Sequence, residues 1–223
     1  MVNVLVAAGG KNDVLGASLV HQLVLRGKRP AFIATCDWID EPRGHGDFTG
    51  LTALGDGLYR INTDAESVPP EASVLPRLAG NLRAQLLLLD PRRGALGLCD
   101  QLIRLIDLAD AELVHLVTIG DALLDLRSAL IAAACAETGT PVRVHLIGQG
   151  DGLEIPDETI AGLATLTGSA PVEPGDTVRS LDLDQVLSAN PLPMTLRGTR
   201  SLREAEASCS VAEAGEQDAA VIS

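Results

Sequence analysis

Val2-Asn3-Val4-Leu5-Val6-Ala7-Ala8-Gly9-Gly10-Lys11-Asn12-Asp13-Val14-Leu15-Gly16-Ala17 decides the fold class. Val2–Ala7 is an apolar, largely β-branched run too short for a helix. Asn12 or Asp13 offers an N-cap for the apolar stretch that follows and ends at Gly27. Pro30–Cys36 then reads as a second strand. Strand, helix and strand over about 35 residues make a βαβ unit, in which the strands are parallel and the crossover right-handed.

The same pattern recurs downstream. Glu112–Thr118, a helix over Leu124–Thr138 and Val142–Ile147 form a second unit, with Gly139-Thr140-Pro141 closing the helix. The leading strand of the first unit and both strands of the second run into glycine-and-acid loops: Gly9-Gly10-Lys11-Asn12-Asp13, Ile119-Gly120-Asp121, and Gly148-Gln149-Gly150-Asp151-Gly152-Leu153-Glu154. Parallel strands would gather these acids on one edge, with the carboxylates of Asp13, Asp121 and Asp151 expected within about 12 Å of each other. In open α/β sheets that edge binds ligands, at the point where strand order reverses.

Between and beyond the two units, Gln85–Leu89 reads as a buried strand ending in Asp90-Pro91, and Ala95–Leu108 as an apolar helix behind it. Residues 37–57, rich in Gly, Asp and Pro and holding the only Trp, read as a long lid or specificity loop. Gly57–Ile61 is a short strand candidate, Ser73–Arg83 a helix interrupted early by Pro76, and Asp157–Leu166 a further helix. Thr177–Leu181 alternates as an edge strand and Asp182–Ser188 is a helical turn. Residues 1–198 are therefore expected to form one domain and 199–223 a partly helical or disordered tail.

With 30 acids against 17 Lys and Arg, the chain carries a net charge of −13, which repels phosphate backbones and anionic lipid. Nucleic-acid and membrane-surface partners are not expected. No uninterrupted apolar run of about 18 residues and no signal-like start is visible, so the expectation is a soluble, cytoplasmic protein. Aromatic residues are only 2%, leaving Ala, Leu and Val to fill the core. Cys36, Cys99, Cys135 and Cys209 are widely spaced, without a CxxC or a His at ligand spacing, and read as small hydrophobes. Cys36, at a strand end before Asp37-Trp38, is the one thiol placed to face a crevice.

The Gly9-Gly10 turn lets backbone N–H groups approach a phosphate or carboxylate at a helix N-terminus, although its glycine spacing is not a nicotinamide fingerprint. Asn12 and Asp13 either line that site or cap the helix. Asp121, Asp151 and Glu154 are the candidate catalytic acids, and Asp13, Asp121 and Asp151 the candidate metal ligands. Such carboxylates hold Mg²⁺ or another divalent ion, bind an amine, or divide acid and base roles. Turn chemistry also favours Gly-Asp at strand ends. Arg127 either reaches an anion in the crevice or pairs with Asp125, and Ser128 beside it lacks a nucleophile elbow. Of the four histidines, His115 and His145 fall inside strands and are expected to be buried or face-lining, His21 lies in the first helix, and His45 sits in the long loop.

The stretches Gly9–Ala17, Ile119–Leu123, Leu126–Leu130 and Gly148–Glu154 resemble successive motifs of a domain-of-unknown-function family, DUF1152, over about residues 2–168. The resemblance implies a Rossmann-like sheet, and so a three-layer α/β sandwich with a mostly parallel centre. It makes Gly9, Gly10, Asp13, Gly120, Asp121, Arg127, Ser128, Asp151 and Glu154 the positions to carry over. Lys11 stands where the family pattern usually has another glycine. The expected function is an enzyme binding a small polar, phosphorylated or nucleotide-derived metabolite in an acidic crevice with a divalent metal. The alternative is a non-catalytic partner protein of a biosynthetic pathway, recognising a peptide, another enzyme or a second copy of itself.

Overall fold

The computed structural model describes residues 2–8, 11–26, 31–37, 48–70, 72–120, 126–167, 171–189, 192 and 194–207. The first βαβ unit is β1 (Asn3–Ala7), α1 (Lys11–Leu23) and β2 (Ala31–Thr35). A hairpin of β3 (Phe48–Gly55) and β4 (Leu58–Ser67) follows, then α2 (Leu75–Asn81), β5 (Gln85–Leu89), a single 3₁₀ turn at Pro91–Arg93 and α3 (Gly94–Ala109). The second unit is β6 (Val114–Ile119), α4 (Leu126–Glu137) and β7 (Val142–Gly148). The chain continues through β8 (Leu153–Glu154), α5 (Asp157–Thr167), β9 (Thr177–Asp182), α6 (Leu183–Ala189) and α7 (Met194–Arg197).

All nine strands join one sheet in the order β3-β4-β5-β2-β1-β6-β7-β9-β8. The sheet is mixed, which corrects the expectation of a mostly parallel one: four ladders are parallel and four antiparallel. The parallel ladders are central, joining β5, β2, β1, β6 and β7, and antiparallel strands flank them on both sides. Alternation within each central strand feeds two cores. Val4 and Val6 of β1 and Leu87 of β5 face α3, α4, α6 and α7, whereas Leu5, Ala7 and Leu88 face α1, α2 and α5. Burial on both faces explains the near-continuous apolar runs of these strands.

The residues expected to form a long loop contain β3. Its pattern was hidden because only Phe48 is buried, and its pairing with β4 shifts register between Thr49 and Leu51. The hairpin signal lay in Asp56-Gly57. Gly55 pairs with Leu58, and both residues between them have positive φ, 53° and 91°, the two-residue turn for which Asp-Gly is suited. A second correction concerns β9. It is an internal strand, antiparallel to β7, because the two-residue β8 covers its other side. Gly16 records how closely α1 lies on the sheet: a Cβ there would stand 3.0 Å from Ile147 and 3.1 Å from Ile119.

The segment assigned to the tail begins packed. Thr199 is buried; its hydroxyl accepts from the Ala95 N–H at 3.0 Å and its carbonyl from the Leu96 N–H at 3.1 Å. These are two of the amide groups that the start of α3 leaves without helical partners. Ala205 is fully buried in the same core. Residues 208–223 of the expected tail lie outside the described residues.

Candidate functional site

Strand order reverses between β1 and β6, so the crevice to examine lies beyond their carboxyl ends. Asp13, in the first turn of α1, is buried there, and its Oδ1 accepts from the Ile119 N–H at the end of β6 at 2.8 Å. The carboxylate therefore ties the amino end of α1 to the neighbouring strand. Gly120 follows with φ +82°, and its N–H donates to the Ile147 carbonyl at 2.8 Å, keeping β6 joined to β7 past the strand end. Asn12 is exposed beside Asp13.

Arg127, at the start of α4, reaches Asp37 with its Nη1 3.3 Å from Oδ1. This is a partner the sequence reading did not weigh. Asp37 follows β2, and Arg127 follows β6. Since β1 lies between those strands, the ion pair spans the carboxyl end of β1, across two strand spacings of about 9–10 Å. The Arg127 side chain is 42% exposed and that of Asp37 19%, so solvent and solutes reach the guanidinium while the carboxylate is half sheltered. The Asp37 N–H donates to the Thr35 hydroxyl, which fixes the turn that presents the carboxylate. Ser128, next along α4, is buried.

A second aspartate–arginine pair stands on the adjacent strand. The register Thr35 with Leu88 brings the residues after β2 and β5 side by side, so Asp90 neighbours Asp37 on this edge. Asp90 is buried and forms an ion pair with Arg92, whose Nε lies 2.8 Å from both carboxylate oxygens. Gln101 of α3 holds the Asp90 backbone from both sides: its Oε1 accepts from the Asp90 N–H and its Nε2 donates to the Asp90 carbonyl, each at 2.8 Å. The edge thus carries the pairs Arg127–Asp37 and Asp90–Arg92. The signal was present in the sequence, since Asp37 and Asp90 follow strand ends just as the predicted acids do.

Cys36 lies between these pairs and is buried. Burial drives its thiol far above the usual range, only partly opposed by Arg127 and reinforced by Asp90, so it is no thiolate nucleophile at neutral pH. Asp151 and Glu154 occupy a different place. Both are exposed, Asp151 in the turn after β7 and Glu154 on β8. Their turn is held by other groups: the Thr177 hydroxyl donates to the carbonyls of Gly148 and Gly150, and Gln149 donates to buried Asp176. Glu154 lies three strand positions from Ile119, the partner of Asp13, or about 14 Å along the sheet. Gly9, Gly10, Asp121 and His45 lie outside the described residues. Among the described residues no three His, Cys, Asp or Glu side chains gather as metal ligands.

His115 and His145 face the α1 side of the sheet on adjacent strands. Nδ1 of His115 is 3.0 Å from Nε2 of His145, and Nδ1 of His145 is 2.9 Å from the Ser180 hydroxyl. Burial, then Arg143, lowers His115 to about 4. Burial, then His115 and Arg143, lowers His145 to about 3. Both rings are neutral at pH 7, and bases so weak accept protons poorly there, so the pair is a structural link between strands.

A family model described as a protein of unknown function, DUF1152, matches residues 4–170. No curated protein matches the chain. Among solved structures, a deacetylase triple mutant involved in the teicoplanin biosynthetic pathway is similar at 12% identity and a TM-score of 0.45, over 74% of this chain and 80% of that one. Among the described residues no helix is long and apolar enough to cross a membrane.

Proposed function

The chain belongs to the DUF1152 family of proteins of unknown function, and from that premise we propose that it is a Rossmann-like enzyme acting on a small polar metabolite that carries a carboxylate or phosphate. The parallel strands β1, β2, β5, β6 and β7, taken in chain order, lie in the order 3-2-1-4-5, which supports the Rossmann-like reading and puts the crevice at the end of β1. The observation that carries the proposal is the half-exposed Arg127–Asp37 pair spanning that crevice. An anionic group entering the crevice takes the place of Asp37 on the guanidinium, whose planar fork suits carboxylate and phosphate alike. A phosphorylated or nucleotide-derived ligand fits this chemistry. Asp121, the residue after Gly120 in the sequence, is the acid or base in this reading. A cytoplasmic location belongs to the same proposal, supported by the free, buried thiols of Cys36, Cys99 and Cys135.

Thermal unfolding in the presence of sugar phosphates, nucleotides, carboxylates and amino acids, each with and without Mg²⁺, tests the proposal. Stabilisation of the wild-type chain by an anionic member, lost in Arg127→Gln, is the expected result. An equal response from Arg127→Gln would move the site elsewhere. A second reading, a partner protein of a biosynthetic pathway, draws on the exposed Leu96 and Ile103, seven residues apart on one face of α3. That reading predicts co-purification with a protein and no response to small anions.

A further inference from the structure

The opposite edge of the sheet holds a separate groove. Pairing between β4 and β5 runs from Leu58 with Leu89 to Arg60 with Leu87, and around the chains beyond that point lies a cavity of about 780 Å³. That volume falls within the usual span of small-molecule sites, about 300–1,000 Å³. Gln85, which lines it, is the first residue of β5, so the groove lies at the amino-terminal edge, one strand length of about 16 Å from the crevice. Half-buried Ala79, Leu82 and Ala84 give it an apolar lining, and Arg60, Asn62, Arg83 and Gln85 a polar one. Among the described residues no acid lines the cavity, in a chain whose net charge is −13.

Arg60 and Arg83, like Arg26, Arg77, Arg179, Arg200 and Arg203, form no ion pair with a carboxylate among the described residues. Arg92, Arg93, Arg104, Arg127, Arg143 and Arg197 each pair with a carboxylate. Arg60 is instead held by an amide: its Nε donates to Asn62 Oδ1 at 3.2 Å, and Asn62 Nδ2 donates to the Thr52 hydroxyl at 3.0 Å. This chain of contacts orients the guanidinium and leaves its charge and its remaining N–H donors available.

We infer that this groove is a binding site for a small organic anion, its carboxylate or phosphate held by Arg60 and Arg83, its apolar part against Leu82 and Ala84, and Gln85 hydrogen-bonding a polar substituent. Guanidinium groups recognise both oxyanions in a bidentate way, so the two anion classes share the chemistry and are separated by experiment. The site is independent of the crevice and of the activity proposed for it.

Phenyl phosphate and benzoate, titrated into the ¹⁵N-labelled full chain, are the probes, with benzamide as the neutral control. A saturable shift of the Thr63 and Gln85 amide signals with one or both anions, and none with benzamide, is expected. Relative loss identifies the carriers: R60Q and R83Q should each weaken binding about tenfold, as loss of a charge-assisted contact does. R60K and R83K should lose less, and R127Q nothing. Equal binding of benzamide, wild-type affinity in R60Q and R83Q, or the absence of a saturable shift with either anion would each overturn the inference.

Discussion

Asp13 shows how one side chain ties two elements of the fold together. Its carboxylate joins α1 to the end of β6 through the Ile119 N–H, so Asp13→Ala leaves that amide without its acceptor. The expected cost is about 1–3 kcal/mol in a urea titration, with Asp13→Asn costing less. His115 and His145 act in the opposite sense, as groups kept neutral by burial. Their folded values, about 4 and 3, lie below the ordinary histidine value of 6.5, so the unfolded chain binds more protons in acid. Stability from this pair is full above about pH 6.5 and falls as pH drops through the folded values, by an amount of the order of a few kcal/mol. Urea midpoints measured from pH 7 to pH 4 should decline, and the decline should be shallower in a His115→Asn, His145→Asn double variant. An identical pH profile in that variant would assign the loss to other groups. In the sequence, the burial of both histidines was legible from their strand positions, whereas their hydrogen bond was not, because adjacency of β6 and β7 side chains depends on register.

At the scale of elements, the central strands and the helices between them followed from apolar periodicity, as the agreement at Asn3–Ala7, Gln85–Leu89 and Gly94–Ala109 shows. β3 and β9 did not. An edge strand with one buried residue gives little periodic signal, and the internal place of β9 is set by a two-residue strand, β8, too short to read. The role of Thr199 was also hidden, since its partners lie about a hundred residues away in sequence at the start of α3. Two consequences can be measured. Thr199→Ala should cost about 1 kcal/mol, the usual worth of a lost side-chain cap. A chain ending at 207 should melt close to the full chain, whereas one ending at 198 should lose several degrees or fail to fold, because it also removes buried Ala205. Equal melting of the two truncations would show that 199–207 contributes nothing to the core.

The whole molecule joins a five-strand parallel centre to antiparallel flanks, and the order of the parallel strands reverses between β1 and β6. Acids and glycines follow the parallel strands on one edge of the sheet, a pattern legible in the sequence. On the described part of the rim Asp37 and Asp90 stand with Arg127 and Arg92, while Asp151 follows β7 and Glu154 lies on β8. The Arg127–Asp37 pair joins residues 90 apart in sequence, which no local pattern encodes, whereas Asp90–Arg92 is local. The proposed exchange of Asp37 for a ligand anion on Arg127 has a consequence of definite sign. The most direct test is calorimetric titration of pyrophosphate into wild type, Asp37→Asn and Arg127→Gln. The account predicts tighter binding in Asp37→Asn, where the competing carboxylate is gone, and weaker binding in Arg127→Gln, each by about tenfold. Binding that weakens in Asp37→Asn, or that is unchanged in both variants, would contradict it.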